Sequence, residues 1–126
     1  MIMSYFAIAT ARFEAMLAFY RDHLGLEVIS EFARPKARGA FIRLSGDLRM
    51  ELIDATRQSK LMRLEPTADD RLHIVIETID IEGFARERKL SEPQPTSWGA
   101  KVVELRDPDG ISVWVLEWLN GQGKAK

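Results

Sequence analysis

The chain has 126 residues, enough for one domain's worth of core, and its composition is that of an ordinary globular protein, 46% hydrophobic and 29% charged. Eighteen Lys and Arg against nineteen Asp and Glu leave a net charge of −1, without the basic excess of a nucleic-acid binder. There is no cysteine, so disulfides, thiolate nucleophiles and zinc-thiolate sites are excluded.

No apolar run approaches the roughly 18 residues of a membrane span. No basic segment precedes the apolar N-terminal stretch, so a signal peptide is not expected and a cytoplasmic location is. Residues 3–9 read as a strand, with Phe6 and Ile8 on one face and Tyr5 and Ala7 on the other. From Arg12 the period changes. Phe13, Met16, Leu17, Tyr20 and Leu24 form one apolar stripe of an α-helix that Gly25 ends. Leu26–Phe32 is a second strand, and Arg34–Gly39 a polar loop. Ala40–Leu44 and Leu48–Ile53 are strands joined around Gly46-Asp47.

Residues 54–71 are charged and poorly periodic and read as a connector on which Leu61, Met62 and Leu64 could dock. The order then repeats. Leu72–Thr78 is a strand, and Asp80 is an N-cap for a short helix over Glu82–Leu90 with Phe84 and Ala85 inward. Pro93–Gly99 is a loop, and Lys101–Arg106 and Ile111–Trp118 are the closing strands. Between them, Asp107-Pro108-Asp109-Gly110 makes a tight turn: proline presets φ near −65°, aspartate accepts from its own backbone, and glycine takes φ > 0. The organisation is therefore βαβββ over residues 1–55, a connector over 56–71, βαβββ over 72–119 and a Gly- and Lys-rich tail over 120–126, in all one α+β domain.

No Gly-rich phosphate loop, nucleophile elbow or H-E-x-x-H motif is present. Arg86-Glu87-Arg88-Lys89 reads as a solvated helix face, and His23 as a surface residue near a helix C-terminus. Glu51 lies between Met50 and Leu52 with Arg49 on its own face. A carboxylate there needs a partner: a metal, a cationic ligand group, or a salt bridge to Arg49 or Arg43. His73 opens its strand on the face of Val75. Trp114 alternates with Ser112 and Leu116, as a stacking wall or as core. Trp98 sits in the Pro-rich loop as a lid or a contact between chains, and Trp118 reads as structural. Tyr5 offers a hydroxyl, while Phe41 and Arg43 share the face opposite Ala40, Ile42 and Leu44. Arg106 is placed to pair with Asp107 or Asp109.

The sequence resembles the vicinal oxygen chelate superfamily, which includes glyoxalase I, bleomycin and fosfomycin resistance proteins and extradiol dioxygenases. The resemblance is carried by Phe19-Tyr20-Arg21-Asp22-His23-Leu24-Gly25-Leu26, Met50-Glu51-Leu52, His73, and Trp98-Gly99 ahead of Arg106-Asp107-Pro108-Asp109-Gly110. It covers about residues 5–118 and looks most like the bleomycin resistance branch. It implies two βαβββ modules in tandem, forming a curved, partly open mixed sheet with a central cavity, and a homodimer. The four positions that hold metal in metal-using relatives fall on Tyr5, Glu51, His73 and Trp114. Only Glu51 and His73 are ordinary metal ligands. The expected function is metal-independent sequestration of a planar or cationic small molecule, with no cofactor required, on Tyr5, Phe41, Arg43, Glu51, His73, Trp98 and Trp114. The alternative is a divalent-metal lyase, isomerase or dioxygenase using Glu51 and His73, with water or Tyr5 completing the metal shell; whether the chain is an enzyme stays open.

Overall fold

The computed structural model describes residues 4–58, 61–65 and 70–119. The chain divides into two compact units, Met1–Thr67 and Ala68–Lys126. In the first, β1 (Phe6–Thr10) leads to α1 (Phe13–Ala18), then β2 (Glu27–Arg34), β3 (Ala37–Ser45) and β4 (Leu48–Asp54). In the second, β5 (His73–Glu77) leads to α2 (Ile81–Glu87), then β6 (Gln94–Pro95), β7 (Ala100–Arg106) and β8 (Ser112–Trp118). The sheets run β1-β4-β3-β2 and β5-β8-β7-β6. In each, the first strand pairs parallel with the last and the other pairs are antiparallel. The fold is thus α+β, with one four-stranded mixed sheet per unit. No helix of the described residues is long and apolar enough to cross a membrane.

Strand alternation decides which face of each sheet is covered. In the first unit Ala40, Ile42 and Leu44 of β3 and Met50 and Leu52 of β4 are buried, as are Phe13, Met16, Leu17, Tyr20 and Leu24 of the helical segment. The apolar stripe is where the period placed it. In the second unit the buried set is Ile74, Ile76, Val103, Val113 and Val115, with Ile81 and Ala85 of α2. Fully burying one such side chain contributes about 1.5–3 kcal/mol, so each buried face holds its own unit together. The odd-numbered positions of β3 and β4, and the even-numbered ones of β7 and β8, are left for the other face.

Several local expectations are corrected. The first helix does not run on as an α-helix to Leu24: from Phe19 to His23 it widens to a π-helix, whose exit is marked by the Leu24 amide donating to the Phe19 carbonyl at 3.0 Å. Arg34–Gly39 is not a loop. The β2–β3 pairing continues to Arg34 opposite Ala37, so only Pro35 and Lys36 turn the chain. Likewise Pro93–Gly99 contains β6, since Gln94 and Pro95 pair with Val102 and Lys101. Of the three connector residues expected to dock, Leu61 (89% exposed) and Leu64 are exposed and Met62 is half-buried. The expected tail, 120–126, lies outside the described residues.

The Asp107–Gly110 turn forms as its residues require. Asp107 is buried, and its Oδ1 accepts from the amides of Asp109 and Ile111, each at 2.9 Å. Gly110 has φ +86°. Asp80 caps α2 by accepting from the Gly83 amide at 3.0 Å. That helix ends less comfortably. Lys89 takes φ +55°, and the Leu90 amide reaches back to the Ala85 carbonyl at 2.9 Å, a Schellman closure with lysine where glycine is favoured. Replacing Lys89 with Gly is expected to raise stability by about 0.5–1 kcal/mol in urea unfolding; a decrease would show that the lysine side chain has a compensating contact.

Candidate functional site

On the open face of the first sheet, strand register places Ala7, Glu51 and Phe41 in one row across β1, β4 and β3. Tyr5, just ahead of β1, sets its ring edge-on to Phe41, with centroids 5.2 Å apart at 80°. Glu51 is half-buried, and among the described residues no hydrogen bond or ion pair engages its carboxylate. The expected salt bridge from Arg43 does not form. Arg43 lies one row along, opposite Arg49 and Glu27, and its guanidinium is committed to Glu27 Oε1 at 3.0 Å and the Gly46 carbonyl at 2.6 Å. Tyr5, Phe41 and Glu51 therefore come together, while Arg43 turns to the sheet rim.

The open face of the second sheet carries two rows. His73, Ser112 and Arg106 form one; Val75, Trp114 and Glu104 form the next. His73 Nδ1 lies 2.8 Å from the hydroxyl of buried Ser112, which fixes the ring's orientation. The imidazole leans on Trp114 with centroids 4.4 Å apart. Trp98 stacks beyond Trp114 at 6.4 Å and 25°, and meets Trp118 edge-on at 5.3 Å. The four rings make a continuous aromatic wall, with Trp98 44% exposed. Beside it is a cavity of about 230 Å³ lined by His73, Ser112, Trp114, Glu104, Arg106 and Asp70. Arg106 Nη1 donates to the Gly110 carbonyl at 3.1 Å.

Ser112, Glu104 and Asp70 were not singled out from the sequence. The turn held the signal for two of them. The Asp107 amide donates to the Ile111 carbonyl, and this closure puts Arg106 opposite Ser112 and Glu104 opposite Trp114. His23 is exposed, as its place at a helix end suggested.

A resident divalent metal needs several side-chain donors with lone pairs. An indole offers no lone pair to a cation, so Trp114 cannot ligate. Among the described residues no three His, Asp or Glu side chains group closely enough to hold an ion. The described residues thus bring together no set of three such ligands.

Among solved structures of similar fold is the lactoylglutathione lyase from Agrobacterium tumefaciens, with 24% identity, 93% of this chain and 92% of that one covered, and a TM-score of 0.61. A superfamily member from Sphaerobacter thermophilus shares 19% identity over 93% of this chain and 97% of that one, at 0.66. The antibiotic binding protein TnmS3 from Streptomyces sp. CB03234 shares 18% over 94% and 96%, at 0.63. Among curated proteins, none matches. The family model for the Glyoxalase/Bleomycin resistance protein/Dioxygenase superfamily matches residues 2–115, through both βαβββ units and into β8. By that match and that fold, the chain belongs to the glyoxalase/bleomycin resistance protein/dioxygenase superfamily.

Proposed function

We propose that this protein binds and sequesters a planar or cationic small molecule, without a metal, as a homodimer. The carrying observation is the His73–Trp114–Trp98 wall beside a 230 Å³ cavity. A flat ring laid on Trp114 gains dispersion and, if cationic, attraction to the indole face. A cavity of that volume holds one ring system, so a larger ligand would leave part of itself outside. The Glu51 carboxylate, which no described residue engages, supports the same reading, since a cationic group would complete it. The similar fold of an antibiotic binding protein is consistent with a binding role.

Calorimetric titration with 1-methylnicotinamide and proflavine, two planar cations of different size, tests this. Saturable binding is expected, weakened about tenfold to a hundredfold in Trp114→Ala, the range for losing one stacked ring. No saturable binding of either probe would overturn the reading. So would stoichiometric metal on protein purified without chelator or affinity tag and lost in Glu51→Ala, which would favour the metal-dependent enzyme. Light scattering during gel filtration checks the dimer: a monomer mass at micromolar concentration would refute it.

A further inference from the structure

Glu104 of β7 lies directly across from Trp114 of β8, so a carboxylate and an indole share one row of the open face. Opposed residues on neighbouring strands hold their Cβ atoms about 4.5–5.5 Å apart, which puts a ring laid on the indole within reach of the glutamate side chain. Both residues line the 230 Å³ cavity. Among the described residues no hydrogen bond or ion pair engages the Glu104 carboxylate. The cations nearest to it along β7 serve other groups. Lys101 Nζ bonds Glu82 Oε1 at 2.6 Å, and Arg106 is committed to the turn, donating from Nη1 to the Gly110 carbonyl at 3.1 Å. Asp70 adds a second carboxylate to the lining against the single Arg106 guanidinium, so the cavity favours positive charge. An ionised carboxylate only accepts hydrogen bonds, and Glu104 therefore calls for a ligand that donates them.

We infer that this site takes a planar cation that donates hydrogen bonds, an aryl amidinium or guanidinium, with its ring on Trp114 and its N–H groups on Glu104. The inference rests on the aromatic wall being a binding surface, as proposed above, and adds which cations it takes and which residue reads them. An amidinium presents two parallel N–H bonds that match the two oxygens of a carboxylate, a stronger and more directional contact than charge alone. A quaternary ammonium offers charge to the indole face but no donor to Glu104. A neutral amide offers donors without the charge.

Three compounds built on one phenyl ring separate these cases: benzamidine (a cation with N–H donors), phenyltrimethylammonium (a cation without them) and benzamide (donors without charge). Calorimetry on the intact protein at pH 7 is expected to rank benzamidine first, about fivefold tighter than phenyltrimethylammonium, with benzamide weakest; partly exposed ion pairs contribute on this scale. Glu104→Gln should bring benzamidine down to the level of phenyltrimethylammonium, while Trp114→Ala should weaken both cations. The Glu104 side chain is exposed, so its variant should fold, and a thermal melt verifies it. Equal affinity for the two cations, lost together in Trp114→Ala, would overturn the donor reading and leave the aromatic wall standing. A benzamidine preference that persists unchanged in Glu104→Gln would also overturn it. No saturable binding of any of the three would overturn this inference and the wall together.

Discussion

Alanine at Gly39 is expected to lower stability by about 2–4 kcal/mol, read as a fall in the urea midpoint and a drop of about 10 °C in Tm. Gly39 is buried in β3, opposite Phe32 on β2 and Ile53 on β4. A Cβ there would meet the Leu52 carbonyl oxygen at 2.6 Å and the Phe32 ring at 2.7 Å. The first obstacle is backbone, so the strands would have to part; the second is a side chain that can swing away. Phe32→Leu added to Gly39→Ala should therefore recover only part of the loss. A single-variant loss under about 0.5 kcal/mol would mean that the β2–β3–β4 ladder gives way easily here, against the tight contact seen. The consequence reaches the site, because β3 and β4 carry Phe41 and Glu51 two residues and two registers from this point.

Gly39 also marks where sequence reading runs out. Arg34 to Gly39 look like a loop to any local rule, because Gly and Pro punctuate. The β2–β3 ladder extends through Arg38 and Gly39 because Phe32 covers the glycine, and this contact between distant positions leaves no periodic trace. The helix stripe and the β3, β4 and β5 alternation were legible for the opposite reason: burial of one face repeats at a fixed period, so Phe13, Met16, Leu17, Tyr20 and Leu24 announce themselves. For the candidate site, His73 and Trp114 could be named because single polar or aromatic residues interrupt apolar strands. Glu104 could not, and Arg106 reads only as a turn partner, since exposed charges on a strand look alike until register gives them neighbours. Arg43 shows the limit in the other direction: its face was read correctly, but its partner, Glu27, depends on rotamers that no pattern encodes.

Asp54→Asn should cost about 2–3 kcal/mol at pH 7 and flatten the acid limb of the stability curve. Asp54 ends β4, 4% exposed, and its Oδ1 accepts from the Thr56 amide at 2.9 Å and the Thr56 hydroxyl at 2.6 Å. Its Oδ2 lies 3.5 Å from Arg38 Nη1. That arginine also pairs with Glu14 and lies over the Phe13 ring at 4.5 Å, tying α1 to the sheet. Burial is the largest single influence on the carboxyl and raises its pKa. The Thr56 hydrogen bonds, with Arg38 and Arg57, together outweigh it, so the group titrates below its ordinary value. A folded pKa below the unfolded one means stability is fully present above the unfolded value and lost as pH falls through the folded one. The wild-type protein should therefore lose stability relative to Asp54→Asn on acidification below about pH 4, and the gap between them should close. The asparagine keeps an acceptor for Thr56 but leaves Arg38 one counter-charge, Glu14, which is why the loss falls short of removing a fully buried ion pair. Urea unfolding of both proteins from pH 7 to pH 3 checks this. A gap that stays constant across that range would show that the carboxylate's charge contributes nothing and that only its shape is used.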